Sequence, residues 1–341
     1  MAGTDTIEPA EIAQWLEANI DGFQGLQTVT KFSSGQSNPT FLLTADSGKY
    51  VLRTKPQGAL LKSAHLVDRE FRVMQALAGS KVPVPKVFAL CSDRDSPVWR
   101  MFYVMAHCEG RIFWDPALPE AASNAERAAI YDAMNATLAA LHDVDISAVG
   151  LADYGKPGNY FERQLARWTS QYKTSQTGDL PAMEALMAWL SANLPADDGQ
   201  VSLVHGDYRL DNMIFAPDRP DILAVIDWEL STLGHPLADL AYQCMQWRLP
   251  HDSGFRGLGG LDRQALGIPS EQAYVDAYCG RRGIGPVSNW DFYVAFSFFR
   301  LAAILQGVYR RSLDGNASNP EKAKLYGQAV PLLAAMAMKT V

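Results

Sequence analysis

Several features that would announce a function at once are scarce or missing in this 341-residue chain. Its four cysteines, Cys91, Cys108, Cys244 and Cys279, show neither a CxxC nor a Cys/His spacing. That gives a structural metal site or a disulfide scaffold no support and predicts free thiols in a reducing cytoplasm. Positive charge is not in surplus: 30 Lys and Arg stand against 37 Asp and Glu, a formal net charge of −7. The molecule as a whole has no electrostatic reason to seek nucleic acid or an anionic membrane. No basic segment precedes an apolar one at the N-terminus, so a signal peptide is not expected there. "EPAEIAQWLEANI" instead predicts an amphipathic helix with Pro9 in its first turn and Ile12, Leu16 and Ile20 on one face. No uninterrupted apolar run reaches membrane-spanning length, "AVPLLAAMAM" being too short. Repeats and low-complexity segments are absent, and no serine sits in a G-x-S-x-G elbow, which disfavours a hydrolase.

What is present is ordinary in bulk and uneven in arrangement. Hydrophobic residues make up 48% and charged residues 20% of a chain long enough for one large domain or two lobes. From about Leu26 to Ala106 the pattern predicts strands over "LQTVTKF", "TFLLTA" and "YVLRT", then a helix over "SAHLVDREFRVMQALAG". Two more strands follow, in "VPVPKVFALC" and "VWRMFYVMA". After His107 helical periodicity takes over, and the clear strands lie in "VSLV" and "ILAVI". The expected class is α+β, with a small β-rich lobe over residues 1–106 and a larger, mainly helical lobe over 107–341. They join near "HCEGR", and the cleft between them is a natural ligand site.

The stretch "LVHGDYRLDNMIFAPDRPDILAVIDWE" puts polar residues at definite places around its two apolar runs. His205, Asp207, Asn212 and Asp227 form H-x-D-x-x-x-x-N followed by an aspartate at a strand end. Phosphoryl transfer asks for such a set: a carboxylate to orient an acceptor hydroxyl and take its proton, and oxygen ligands to hold Mg²⁺ against phosphates. Asp207 suits the first task, Asn212 and Asp227 the second. His205 joins the catalytic set by fixing the loop through hydrogen bonds from its imidazole to backbone. Asp211 is read as a solvated loop acid.

The first lobe supplies the other half of an ATP site. "FSSGQSNPTF" joins two strands and offers backbone N–H groups around Gly35, with Ser34, Ser37 and Asn38 as further donors toward phosphate. "YVLRTK" places Arg53 and Lys55 on one face of a strand, and either can hold phosphates. Glu70, on the following helix, can pair with that cation.

With these residues in view, the chain resembles the aminoglycoside phosphotransferase/choline kinase superfamily, over about residues 25 to 310. "LVHGDYRLDN" is similar to that superfamily's catalytic loop, "VIDWE" to its metal-binding segment and "HPLADLA" to its "GDPxxDLA" stretch. More narrowly, "YVLRTKPQGALLKSAHLVDREFRVMQAL", "FYVMAHCEGRIF" and "DWELSTLGHPLADLAY" resemble the kinase-like domain related to, and sometimes fused with, acyl-CoA dehydrogenases. The resemblance implies a two-lobed protein-kinase-like fold that uses ATP and Mg²⁺. It implies Asp207 as base, Asn212 and Asp227 as magnesium ligands with Glu229 assisting, and Glu70 as the helix acid. Arg53 is the better match for the strand cation, with Lys55 as fallback. Met105 and His107 fall in the hinge "VMAH", which would meet adenine through backbone groups, and Asp239 would brace the catalytic loop. One position departs: His235 replaces the usual Asp of "GDP".

Only 11 residues separate Asp227 from Asp239, too few for the activation segment with which protein kinases hold a peptide, so a small hydroxyl acceptor is expected. Residues 241–341 carry 11 Lys and Arg against 7 Asp and Glu. Arg248, Arg256, Arg263, Arg281, Arg282, Arg300, Arg310 and Arg311 thereby favour an anionic acceptor, such as a hydroxyacyl-CoA or hydroxy acid, over a polycationic aminoglycoside. An acyl-CoA dehydrogenase is the partner that the resemblance implies. The alternatives are an aminoglycoside-type antibiotic kinase, or a pseudokinase that binds nucleotide and regulates a partner by shape.

Overall fold

In the computed structural model, residues 6–32, 38–56, 66–315 and 320–341 are described. The chain opens with α1 (Pro9–Asn19), then β1 (Leu26–Lys31), β2 (Thr40–Ala45), β3 (Gly48–Thr54), α2 (Val67–Leu77), β4 (Val87–Cys91) and β5 (Phe102–Ala106). Glu8 and Glu11 form a reciprocal capping box at the start of α1, with Pro9 just inside it. The five strands make one antiparallel sheet in the order β1-β2-β3-β5-β4.

Strand alternation divides the sheet between two cores. Phe41, Leu43, Leu52, Phe102 and Val104 face α1 and pack with Ile12 and Leu16. Val51, Tyr103 and Met105 face the other way, toward Val73, Met74 and Leu77 of α2, and that core runs without a break into the helical lobe. The change of texture near residue 106 is thus not a break in packing. Arg69 of α2 fastens the two regions, its Nη2 donating to the Tyr154 carbonyl at 2.6 Å while the Tyr154 hydroxyl donates back to the Arg69 carbonyl at 3.1 Å.

The second region contains α3 (Asn124–His142), α4 (Tyr160–Ser175) and α5 (Pro181–Ala192), then four short strands: β6 (Ser202–Val204), β7 (Met213–Phe215), β8 (Ile222–Val225) and β9 (Thr232–Gly234). These form two antiparallel pairs, β6 with β9 and β7 with β8. β6 and β8 were expected, whereas β7 and β9, three residues each, carry no local strand pattern and exist through their partners. α6 (Leu237–Cys244), α7 (Glu271–Arg282), α8 (Trp290–Leu313) and α9 (Pro320–Met338) complete the fold. By length and composition α8 is long and apolar enough to cross a membrane, although Arg300 interrupts its apolar run, and 78% of its most apolar 18 residues are buried inside the fold. It is the central helix of the lobe, packed against α4, α6 and α9.

Candidate active site

Pairing of β7 with β8 places the loop before one strand beside the end of the other. Met213 lies opposite Val225, and the Ile226 N–H donates to the Asn212 carbonyl at 2.9 Å, so Asn212 and Asp227 sit at the same end of the hairpin. Asp227 leaves the strand in left-handed backbone, φ 65° and ψ 58°, a conformation that costs a non-glycine residue about 1–2 kcal/mol. On the other hairpin, Gly206 turns the chain between β6 and Asp207 at φ 82°. A Cβ there would stand 2.5 Å from the Leu230 carbonyl oxygen, so the backbone approach requires glycine.

Asp207 is held from several sides. The Tyr242 hydroxyl of α6 donates to its Oδ1 at 2.7 Å, Asn212 Nδ2 donates to its Oδ2 at 3.0 Å, and Arg209 Nε lies 3.6 Å from Oδ2. Burial pushes its pKa up, but Arg209, the Tyr242 hydroxyl, His205 and Arg300 together hold it below the ordinary aspartate range. At neutral pH the group is a carboxylate and a hydrogen-bond acceptor. With its Nδ2 engaged by Asp207, Asn212 would have its amide oxygen available to a cation.

Across the cleft, Arg53 of β3 meets Glu70 of α2 through Nε at 3.0 Å. Its Nη2 lies 2.5 Å from Asp227 Oδ1 and 3.8 Å from Glu229 Oε2. Glu70 is also bonded by Asn38 Nδ2 at 2.8 Å and the Tyr103 hydroxyl at 3.1 Å. Burial raises the Glu70 pKa above its ordinary value, with Arg53 opposing and Asp227 adding to the rise. Burial alone would lower the Arg53 pKa; Glu70 and Asp227 raise it further than that, so the guanidinium stays charged. Three carboxylates thus share one guanidinium, an imbalance that a divalent cation would correct. Among the described residues no three His, Cys, Asp or Glu side chains converge tightly enough to hold a metal alone. An ion there would be held by Asp227 with the Asn212 oxygen and Glu229, the remaining positions going to phosphate and water, as suits Mg²⁺.

Other expected residues fall differently. Lys55 lies just past the end of β3, and its Nζ is 3.2 Å from Asp93, away from the Arg53 cluster. Asp211 is not a solvated loop acid: it is largely buried, accepts from Arg209 Nη2 at 2.5 Å, and has its pKa raised by that burial. His205 is fully enclosed and touches backbone: its Nδ1 accepts the Asp207 N–H at 3.2 Å and its Nε2 donates to the Ile226 carbonyl at 3.0 Å. It links the two hairpins and positions Asp207 from behind. Met105 is enclosed in the sheet between Val51 and Val87, so the first backbone groups beyond the ladder are those of half-buried His107. Ser34, Gly35 and Ser37 lie outside the described residues.

Asp239 accepts the backbone N–H groups of His205 at 2.6 Å and Gly206 at 2.9 Å, and lies 3.4 Å from His142 Nε2. Burial would raise its pKa, but His142 and these N–H groups hold it below the ordinary range. His235 fills the departure from "GDP": its Nδ1 accepts the Leu237 N–H at 3.2 Å, as an aspartate at a helix start would, while Nε2 faces Asp198 at 3.2 Å. Three side chains of the site escaped the sequence reading in their present roles: Tyr242, Arg209 and Arg300. For Arg300 there was a signal, since one charge inside "FYVAFSFFRLAAIL" must find a reason to be buried.

Residues 28–274 match the APH phosphotransferase enzyme family. The chain belongs to this family. The chain is 48% identical over 310 residues to acyl-CoA dehydrogenase family member 10 of Mus musculus, covering 89% of this chain and 29% of that protein. It is 46% identical over 323 residues to acyl-CoA dehydrogenase family member 11 of Rattus norvegicus, covering 93% of this chain and 41% of that one. The chain therefore spans less than half the length of these relatives. A crystal structure from Ralstonia eutropha JMP134, provisionally assigned as an aminoglycoside phosphotransferase, matches at 48% identity and a TM-score of 0.88, with 98% of each chain covered. Spectinomycin phosphotransferase, solved with ADP and spectinomycin, shares the fold at a TM-score of 0.65 and 13% identity, covering 98% of this chain and 99% of that one. The expected α+β, two-lobed, kinase-like fold is the fold of this chain.

Proposed function

We propose that this phosphotransferase transfers the γ-phosphoryl group of Mg-ATP to the hydroxyl of a small acyl compound, a hydroxyacyl-CoA or related hydroxy acid. The observation that carries the transfer is an ionised Asp207, held by Tyr242 and Asn212 on the same side of the cleft as Asp227. Asp207 orients the acceptor hydroxyl and takes its proton as the new oxygen–phosphorus bond forms and the bond to ADP breaks. Arg53, held by Glu70, serves the phosphates of the nucleotide. Its contact with Asp227 gives way when a cation occupies that carboxylate. Mg²⁺, when bound at Asp227 and Asn212, supplies charge neutralisation at the transferring phosphate.

The acyl acceptor is supported by the relatives, longer proteins named for acyl-CoA dehydrogenases. An acyl-CoA dehydrogenase is accordingly the proposed working partner. The proposed compartment is the cytoplasm, in keeping with four free thiols, three of them buried. The charge argument from the C-terminal arginines narrows sharply. Arg248 is neutralised by Glu271, Arg256 faces Asp115, Arg281 pairs with Asp132, Arg282 with Asp143 and Arg310 with Asp314. Arg263 donates to the Leu258 carbonyl, and Arg311 lies exposed near the end of α8. Arg300 alone stands near Asp207.

The test is acceptor-dependent ADP formation with Mg-ATP across hydroxyacyl-CoAs, hydroxy acids, choline and aminoglycosides. Asp207→Ala is the blank, and its nucleotide binding is measured in parallel. Turnover on hydroxyacyl compounds, lost in the variant while nucleotide binding persists, is the expected result. Turnover on aminoglycosides alone would sink the acyl acceptor. Nucleotide binding without turnover in the wild-type protein would favour the pseudokinase.

A further inference from the structure

Arg300 lies mid-way along α8 and is 7% exposed, yet among the described residues it has no hydrogen-bond or ion-pair partner. Its guanidinium carbon lies 5.5 Å from the centre of the Tyr242 ring and 5.8 Å from that of the Trp168 ring. Both rings lie within cation–π range of the guanidinium, contacts that consume none of its N–H donors. Tyr242 is the same side chain whose hydroxyl holds Asp207, and Arg300 is close enough to help keep that carboxylate ionised. With no protein partner among the described residues, and with none of its nitrogens both enclosed and unpartnered, Arg300 has donors open to water or to a ligand. Placed beside the base, it also disfavours a polycation and suits an acceptor that carries oxygen acceptors a few bonds from its hydroxyl.

Resting on the reading of the cleft as an acyl-acceptor site, we infer that Arg300 is its specificity-determining cation. It binds the acyl oxygen of the acceptor, as a carboxylate or a thioester carbonyl, in its in-plane fork and so presents the hydroxyl to Asp207. Trp168 and Tyr242 hold the fork in orientation and give the intervening methylene chain an apolar wall. Arg300 thereby selects hydroxyacyl compounds against neutral diols of the same length.

The experiment compares wild type, Arg300→Met and Arg300→Lys on 3- to 6-hydroxyalkanoates, their CoA thioesters and the matching diols, with Mg-ATP. Thermal melts of each protein establish that the variants are folded. The expected result is a ~10–100-fold rise in KM for the acyl acceptor in Arg300→Met, the scale of a lost charged hydrogen bond. The KM for ATP stays within about twofold, diols lose far less than the acyl acceptors because they feel only the missing charge beside Asp207, and Arg300→Lys recovers part of the loss. An effect confined to free acids identifies the carboxylate as the oxygen bound; one confined to thioesters identifies the carbonyl. Equal effects on diols and acyl compounds, or no effect, would overturn the inference.

Should the wild type turn over none of these acceptors, the acyl-kinase reading fails and tryptophan fluorescence, with Trp168→Phe assigning the signal among the eight tryptophans, decides the inference separately. Saturable quenching by a hydroxyalkanoate or its thioester, lost in Arg300→Met, sustains it. No saturable quenching, or the same in both proteins, rejects it.

Discussion

Two buried ionic clusters lie close together in this molecule and are built on opposite plans. Around Asp239 every charge is answered from within: two backbone N–H groups and a histidine surround one carboxylate that is 1% exposed. Around Arg53 the sum does not close: Glu70, Asp227 and Glu229 surround one guanidinium, and two of those acids border the cleft. The first arrangement fixes a loop and needs no visitor. Among the described residues the second carries an excess of negative charge, which a bound cation would offset. Satisfied charge marks architecture here, and unbalanced charge marks the place where a ligand completes the structure.

The sharpest way to break this contrast is Asp227→Asn. Asn accepts the left-handed backbone, so thermal stability should hold, while Mg-dependent turnover falls roughly 10³-fold through lost charge stabilisation; steady-state kinetics beside a thermal melt reads both. A variant that melts early would place Asp227 with the architecture instead. Asp239→Ala should do the reverse. Leaving two enclosed N–H groups without an acceptor costs about 3 kcal/mol or more, measurable as a lowered denaturation midpoint, and turnover declines because the loop loosens.

A smaller effect is expected from Tyr242→Phe. The native phenol donates to the ionised form of Asp207, and its loss raises the Asp207 pKa. The acid limb of the kcat/KM profile should therefore move to higher pH by about one unit, with little change on the neutral plateau, where Asp207 stays ionised; an unmoved limb would mean that another group sets it. Smallest of all is Lys55→Ala. The Lys55–Asp93 pair is a peripheral ion pair worth at most about 1 kcal/mol, so kinetics with ATP should stay within about twofold. A large loss would return Lys55 to the phosphates.

What could be seen in advance follows how local the determinants are. α1 and β2 announce themselves by period, because one face of each is buried and the pattern is written in consecutive residues. β7 and β9 do not, since three residues hold no period and their ladders are made by residues about ten and thirty positions away. The site divides in the same manner. Asp207, Asn212 and Asp227 lie within one short stretch, and their spacing is the message. Tyr242 and Arg300 reach the base only when α6 and α8 are packed. Each sits in a run that reads as plain core, and nothing in either run mentions residue 207. Lys55 was placed by strand alternation carried one residue too far, past the last rung of β3.

The backbone of Asp227 carries one more implication. At φ 65° and ψ 58° glycine would be at ease, and an aspartate is not. A population selected only for a protein that lasts longer in the heat would drift toward glycine at this position. It would keep a sturdy molecule and lose its chemistry without any sign in the melting curve. Endurance and work are selected in opposite directions at this one residue, so a hardy variant that has changed here is best suspected of idleness.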